Sequence, residues 1–176
     1  MKRIFYGRVP FKNATSLLQF QKKGITQQLL HNLKYRGQED ISYFFGKWLG
    51  HELRDHPDFT DIDLVVPVPI HRKKLKQRGY NQVTGFGKEI AMALKVPFND
   101  SVLLKPTHTP SQVFKERFKR YGSSEAFTMS SEENISGKHI LLVDDIVTTG
   151  ATLEICAQQL LKNENVSLSV ATIAVA

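Results

Sequence analysis

Two adjacent carboxylates and a loop of small residues stand together in the segment "LLVDDIVTTGAT", residues 141–152. The apolar run predicts a buried strand, which places Asp144 and Asp145 at its carboxyl end, where open α/β sheets bind ligands. The residues that follow carry hydroxyls, backbone N–H groups and no bulky side chain: Thr148, Thr149, Gly150, Ala151 and Thr152. Because they open a predicted helix, whose N-terminus favours anions, they predict a phosphate cradle.

The acid pair needs a different partner from the loop, because carboxylates repel a phosphate. Sugar hydroxyls or a hydrated cation suit two adjacent carboxylates. Strand, acids, loop and helix in this order therefore indicate a phosphorylated sugar as the ligand. The alternative is that Asp144 and Asp145 are solvated strand-end residues and that "TTGAT" is an ordinary helix start.

Clustered cations are the second chemical feature of the sequence. Residues 72–78 carry five positive charges and no acid, at Arg72, Lys73, Lys74, Lys76 and Arg78. The later segment "KERFKR" adds four more, at Lys115, Arg117, Lys119 and Arg120. Guanidinium groups bind phosphate oxygens in bidentate geometry, so the arginines favour an anionic partner. The alternative is two solvated surface runs.

The elements that must position these residues alternate between strands and helices. Apolar runs predict strands at "IDLVVPVP", "SVLLK", "KHILLVDD" and "VSLSVATIAVA", with helices at residues 80–95 and at "TTGATLEICAQQLLK". Runs that are apolar on both faces indicate an α/β fold with a mainly parallel sheet flanked by helices. The basic stretch after "VPVP" and residues 106–124 are interpreted as loops.

Helical spacing dominates the first 60 residues, which we predict to be a helical N-terminal appendage on an α/β core of residues 61–176. Together they are expected to form one compact domain. The apolar positions at three- and four-residue spacing are Ile25, Leu29, Leu30 and Leu33, then Phe44, Phe45, Trp48, Leu49 and Leu53. Tyr35 and Trp48 are assigned to core packing on the same grounds.

Composition limits the remaining possibilities for this chain of 176 residues. Its 24 Lys and Arg against 17 Asp and Glu give a net charge of +7, which favours anionic partners. The single cysteine, Cys156, excludes an intramolecular disulfide or a four-cysteine zinc site within this chain, and its apolar neighbours predict a core position. No membrane-length apolar run or signal peptide is evident, so we expect a cytoplasmic protein without membrane insertion. Among the histidines, only His71 adjoins a predicted ligand site.

The segment "LLVDDIVTTGAT" resembles the motif of type I phosphoribosyltransferases that binds 5-phosphoribosyl-1-pyrophosphate (PRPP). The resemblance implies that Asp144 and Asp145 contact the ribose hydroxyls and that residues 148–152 hold the 5′-phosphate. Purine-salvage members have an aspartate where this chain has Thr148, and this departure argues against a purine-salvage enzyme.

A longer resemblance, from about Leu17 to the C-terminus, is to the ComF/GntX family of competence-associated, phosphoribosyltransferase-related proteins. It rests on "LLHNLKYRG", on "VPVP" followed by a basic stretch and "RGYNQ", and on "TPSQVFKERFKR". It implies a pyrophosphate loop at Val68, Pro69, Arg72 and Arg78, and a flexible lid with Gln112, Arg117 and Arg120. Many members begin with a four-cysteine zinc segment. Either the protein lacks that module or this chain starts inside a longer gene product.

The implied activity is a glycosyltransferase reaction of nucleoside metabolism, in which the phosphoribosyl group of PRPP passes to an unidentified nitrogen acceptor with release of pyrophosphate. The catalytic residues implied are Asp144, Asp145 and Arg72, with Mg²⁺ carried by PRPP and bridged by water to the acid pair. The alternative is a non-catalytic accessory protein of DNA uptake that binds single-stranded DNA or a protein partner. The sequence leaves the oligomeric state open.

Overall fold

Four parallel strands form the centre of the computed structural model, which describes residues 1–105 and 127–176. The strands are β1 (Phe11–Gln19), β2 (Leu64–Pro67), β5 (His139–Val147) and β6 (Ser167–Val175). They lie in the order β1-β6-β5-β2, and every neighbouring pair is parallel. A separate antiparallel pair joins β3 (Leu103–Leu104) to β4 (Thr128–Met129). The predicted α/β fold with a mainly parallel sheet is confirmed.

Helices cover both faces of the main sheet. Their bounds are Ile25–Tyr35 for α1, Asp40–Arg54 for α2, Arg72–Arg78 for α3, Thr84–Leu94 for α4 and Ala151–Leu160 for α5. Short 3₁₀ turns lie at Lys2–Phe5 and Pro57–Phe59. Within the two described ranges, no helix is both long enough and apolar enough to cross a membrane.

Alternation along β5 divides the buried side chains into two cores. Ile140 and Leu142 belong to the core that also contains Phe5 and α5, whereas Leu141 and Val143 belong to the core beneath α1, α2 and α4. Successive side chains of a strand point to opposite faces, so a fully apolar strand must be covered on both sides. Each such buried side chain contributes roughly 1.5–3 kcal/mol to folding.

Helices α2 and α4 approach each other closely, and this contact fixes the start of α4. A Cβ atom built on Gly46 would lie 2.7 Å from the Phe86 carbonyl oxygen, so only glycine allows this approach. Ser42 donates from its hydroxyl to the Gln82 carbonyl oxygen at 2.7 Å and accepts from the Phe86 N–H at 2.8 Å. The segment just before α4 is therefore held by α2.

The first 60 residues differ from the purely helical prediction. Helices α1 and α2 are present, but residues 11–19 form β1, which pairs in parallel with β6 at the edge of the sheet. Six central residues of β1 are only half-buried, so its sequence lacks the apolar run of the inner strands. The pairing with β6, which is distant in sequence, decides its conformation. The N-terminal region thus contributes a strand to the sheet in addition to its helices.

Two further expectations are corrected. The basic stretch predicted as a loop contains the helix α3. His71 caps the start of this helix, and Gly79 ends it by donating its N–H to the Leu75 carbonyl oxygen at 2.7 Å. In α2, Phe44 is 61% exposed and Trp48 is 47% exposed, so neither lies in the core. Their neighbours Phe45, Leu49 and Leu53 fill that face instead.

Candidate functional site

The acid pair lies where β5 extends past its neighbour β2. The ladder between these strands ends with Pro67 opposite Val143, and the Val68 N–H donates to the Val143 carbonyl oxygen at 2.9 Å. Beyond this point β5 continues through Asp144 and Asp145 while the chain after β2 leaves the sheet. The two carboxylates therefore line an opening at the carboxyl end of the sheet, the position at which open α/β sheets bind ligands.

Burial and mutual repulsion control the charge of the acid pair. Asp144 and Asp145 are 8% and 4% exposed. Burial first, and then the charge of Asp145, raise the pKa of the Asp144 carboxyl to about 8. The Asp145 N–H donates to Asp144 Oδ1 at 2.8 Å, and Lys34 Nζ lies 2.8 Å from Asp145 Oδ2. Near neutral pH the pair therefore holds a proton and is balanced by one lysine, so it can both donate to and accept from sugar hydroxyls.

The turn between β5 and α5 has the features of an anion-binding loop. Thr148 and Thr149 are exposed, and the buried Gly150 has φ +78°, in the left-handed region. A Cβ on Gly150 would lie 2.6 Å from Phe5 Cε1, so a side chain here would displace the loop. The first-turn N–H groups of α5 follow directly, and such groups have no partners within their own helix.

The N-terminal residues Phe5 and Arg8 hold this loop, and neither was predicted from the sequence. The Arg8 Nη1 group donates to the Thr149 carbonyl oxygen at 2.8 Å, and its Nη2 group pairs with Glu154 in α5. Phe5 is 1% exposed and packs against Gly150. Because Arg8 and Thr149 are 141 residues apart, no local pattern reveals their contact.

A cavity of about 290 Å³ opens beside the acid pair, and we call it the ribose-side cavity after the sugar that the sequence predicts for these carboxylates. It is lined by Lys34, Tyr35, Val68, Pro69, Ile70, His71, Lys74, Arg78, Gln82, Lys105, Phe127, Asp144, Asp145, Ile146 and Thr152. The predicted acids, the pyrophosphate residues Val68, Pro69 and Arg78, and Thr152 thus meet around one space. Arg72 is exposed at the first residue of α3 and does not line this cavity, nor do residues 148–151.

The "RGYNQ" residues fix the walls of this cavity. Asn81 donates from Nδ2 to the Val68 carbonyl oxygen at 3.0 Å, which ties the segment before α4 to the loop after β2, the predicted pyrophosphate loop. The Tyr80 hydroxyl donates to the Leu33 carbonyl oxygen and so holds the end of α1. Arg78 donates to the Gln82 side-chain oxygen. The motif therefore acts as a brace between α1, α3 and the loop after β2.

A second cavity of about 230 Å³, the outer cavity, adjoins the first. It is lined by Lys34, Tyr35, Gly37, Lys74, Gln77 and Arg78, four of which also line the ribose-side cavity. Tyr35 is 68% exposed, so its assignment to the core is wrong. The Arg78 guanidinium carbon lies 5.6 Å from the centroid of the Tyr35 ring. The sequence signal for Lys34, Tyr35 and Gly37 is the segment "LLHNLKYRG", and the signal for Lys74 and Arg78 is the basic stretch after "VPVP".

The remaining predicted residues divide into three groups. Gln112, Arg117 and Arg120 of the predicted lid lie outside the described residues. Cys156 is fully buried, and burial raises the pKa of its thiol, which confirms the predicted core position. His71 accepts the Lys73 N–H through Nδ1 at 3.1 Å, so it caps α3 as well as lining the ribose-side cavity.

This chain is similar in sequence to several known proteins. The family model "Phosphoribosyl transferase domain" matches residues 84–176. The DNA utilization protein YhgH of Escherichia coli O157:H7 is 28% identical over 139 residues, which cover 77% of this chain and 60% of that protein. The competence protein ComFC of Streptococcus pneumoniae is 31% identical over 120 residues, 68% of this chain and 50% of that protein. The chain thus spans 50–60% of the length of these curated relatives.

Among solved structures, the adenine phosphoribosyltransferase of Leishmania donovani superposes with a TM-score of 0.50. The alignment covers 94% of this chain and 85% of that one, at 13% sequence identity. At this identity the similarity shows a shared fold and leaves substrates open.

Proposed function

Because the chain belongs to the phosphoribosyl transferase domain family and is a ComF-family protein, we propose that it binds PRPP and transfers the phosphoribosyl group to a nitrogen acceptor. The observation that carries the proposal is the buried pair Asp144 and Asp145 at the open end of β5. It combines carboxylates for ribose hydroxyls with an adjacent anion-binding turn and a cationic cavity wall.

Each part of PRPP has a counterpart at the site. The ribose hydroxyls bind to the acid pair, and the 5′-phosphate binds to residues 148–152 at the start of α5. The pyrophosphate lies along Val68 and Pro69, whose side of the cavity also carries Lys74 and Arg78. Arg72 remains a predicted pyrophosphate ligand from its exposed position at the start of α3.

In the proposed reaction, the acceptor nitrogen forms a bond to C1 of the ribose as the bond from C1 to the pyrophosphate oxygen breaks. Positive charge develops on the ribose, beside the acid pair, and negative charge develops on the departing pyrophosphate, beside the cationic wall. Fixed charges placed where charge develops are the main means by which a protein accelerates such a transfer. Positioning of the two reactants supplies the rest.

Mg²⁺ is part of this proposal. Within residues 1–105 and 127–176, no three His, Cys, Asp or Glu side chains converge on a common point that could hold a metal ion. Asp144 and Asp145 offer the oxygen ligands that Mg²⁺ prefers, and PRPP would supply others, with water completing the shell. When bound, the ion neutralises charge on the pyrophosphate. Lys34 already pairs with Asp145 at 2.8 Å, so an ion bound through water at the acid pair would share that carboxylate with the lysine.

Calorimetric titration of PRPP with Mg²⁺ tests the binding proposal. We expect saturable heat from the wild-type protein and none from the double variant Asp144→Asn, Asp145→Asn. The matched control is Asp40→Asn, Asp100→Asn, which makes the same two substitutions at exposed positions. An absence of heat from the wild type at millimolar PRPP, or equal binding by the double variant, would refute the proposal. Pyrophosphate release on adding nitrogenous acceptors then tests catalysis.

A second candidate is a non-catalytic accessory protein that binds single-stranded DNA. Its specific support is the exposed basic side of α3, where Arg72, Lys73 and Lys76 lie outside both cavities, together with the names of the relatives. DNA affinity should fall steeply with salt, because it depends on counterion release. PRPP binding should depend on the acid pair.

A further inference from the structure

We propose that the outer cavity binds the acceptor, and that the acceptor is an aromatic nitrogen heterocycle carrying a negative charge. This inference rests on the proposed function and specifies its unknown second substrate. The two cavities share Lys34, Tyr35, Lys74 and Arg78, so a ligand in the outer cavity lies directly beside one in the ribose-side cavity.

The aromatic requirement follows from Tyr35 and Arg78. Tyr35 is 68% exposed, and the last turn of α1 that carries it is held by Tyr80 through the Leu33 carbonyl oxygen. Arg78 is held in turn by the Gln82 side chain and lies 5.6 Å from the Tyr35 ring centroid. An exposed ring and a planar guanidinium, both held by the same motif, form a stacking surface for a flat heterocycle.

The charge requirement follows from the rest of the lining. Of the six lining residues in the described part of the chain, three are cationic and none is acidic. Lys34 is paired with Asp145, so Lys74 and Arg78 supply the positive charge that faces a new ligand. A neutral heterocycle would leave this charge unbalanced, whereas a ring carboxylate would pair with it. Gln77 adds an amide that can both donate and accept.

The size of the outer cavity and the residues that line it narrow the class of acceptor further. A volume of about 230 Å³ suits a single ring with one or two small substituents. Among the described residues, no carboxylate lines the outer cavity, so none lies there to act as a base toward the acceptor. A pyridine-type nitrogen needs no base, because its lone pair forms the bond to C1 while the pyrophosphate oxygen keeps the electrons of the bond that breaks. The product is then an N-ribosylated pyridinium.

The experiment titrates pyridine-2,3-dicarboxylate into the protein with PRPP and Mg²⁺ present and, separately, absent. Its neutral counterpart is pyridine-3-carboxamide, which has the same ring without the charge. The informative variant is Gln77→Glu, because Gln77 lines the outer cavity and does not line the ribose-side cavity. We expect it to weaken dicarboxylate binding at least tenfold and PRPP binding no more than threefold. Gln21→Glu, an equal charge change at an exposed position, should change neither.

A second variant, Tyr35→Ala, should weaken dicarboxylate binding by a similar factor, whereas Tyr6→Ala, at a 91% exposed tyrosine, should not. Three results would each overturn the inference. The neutral carboxamide could bind as tightly as the dicarboxylate, or the dicarboxylate could fail to bind when PRPP is bound. An oligothymidylate could also displace the dicarboxylate in a way that requires Tyr35. Dicarboxylate binding that depends on Gln77 in a protein that does not bind PRPP would instead refute the proposed function and leave the anionic subsite in place.

Discussion

At the scale of single residues, Asp144 combines a cost to folding with the chemistry of the site. The unfolded chain ionises this carboxyl near its ordinary pKa, whereas the folded protein keeps the proton until about pH 8. Since the folded state binds the proton more tightly, stability falls as pH rises from about 4 to about 8 and is lowest above that range. The protein tolerates this loss of stability at a buried position where an apolar side chain would serve the fold better.

The first prediction is that Asp144→Asn stabilises the protein increasingly as pH rises. The asparagine oxygen can still accept from the Asp145 N–H, and no charge needs to be buried. We expect a difference in unfolding free energy near zero at pH 4 that grows to about 4–6 kcal/mol at pH 9, from a pKa of about 8 in the folded protein. Urea unfolding at several pH values measures it, with Asp100→Asn as the exposed control. A difference that is independent of pH would contradict the raised pKa.

The second prediction concerns the ion pair between Lys34 and Asp145. Replacing Lys34 by methionine leaves a carboxylate that is 4% exposed without its cation, so we expect a loss of about 2 kcal/mol at pH 8. In an Asp145→Asn background the same change should cost less, because the carboxylate that Lys34 contacts is no longer present. A double-mutant cycle by urea unfolding measures the coupling, which we expect to be about 1–2 kcal/mol. Additive effects would show that the pair is not coupled.

At the scale of elements, the turn from β5 into α5 is fixed by residues from the opposite end of the chain. Gly150 has a left-handed conformation and also contacts Phe5, so two separate constraints meet at one position. Gly137 has φ +73°, but a Cβ atom added there would meet no atom within 4 Å, so it shares only the first constraint. Comparing alanine substitutions at Gly150 and Gly137 therefore separates the cost of the left-handed conformation from the cost of crowding against Phe5.

The third prediction follows from this pair. Gly137→Ala should cost about 1–2 kcal/mol, the ordinary penalty of the left-handed region for an L-residue. Gly150→Ala should cost at least about 1 kcal/mol more, because its methyl group displaces Phe5. It should also weaken PRPP binding at least tenfold, whereas Gly137→Ala should not. Chemical unfolding and calorimetry provide the two readings, and equal costs at both positions would show that Phe5 does not constrain the loop.

The elements also show how far the sequence alone could lead. The β5 strand, its acid pair and the helix α5 were predictable, because a local apolar run and small residues encode them. Strand β1 was not, since its half-buried residues take their conformation from pairing with β6. Lys34, Tyr35 and Arg8 were missed for the same reason: their roles arise from contacts with residues far along the chain. Local sequence patterns predict strands and turns. The lining of a cavity that several helices and loops share can be identified only once the fold is known.

At the scale of the whole molecule, a net charge of +7 favours anionic partners in general, and the two proposed ligands, PRPP and single-stranded DNA, are assigned to different surfaces. PRPP is proposed to bind between the acid pair and the cavity walls. Lys73 and Lys76 are exposed on α3 and line neither cavity. They therefore contribute to the positive electrostatic potential of the protein without lining the proposed PRPP site. Substituting them allows PRPP binding and DNA binding to be tested separately.

The fourth prediction is that Lys73→Gln, Lys76→Gln changes PRPP affinity by less than threefold but reduces the salt dependence of oligothymidylate binding. Each lost phosphate contact lowers the slope of log affinity against log salt by about 0.7 for single strands, so the expected reduction is about 1.4. Fluorescence anisotropy at several salt concentrations measures the slope. The converse variant, Asp144→Asn with Asp145→Asn, should abolish PRPP binding and leave DNA affinity equal or higher, because it removes negative charge. If both variants affected both ligands alike, one surface would serve PRPP and DNA, and the assignment of PRPP to a separate site would fail.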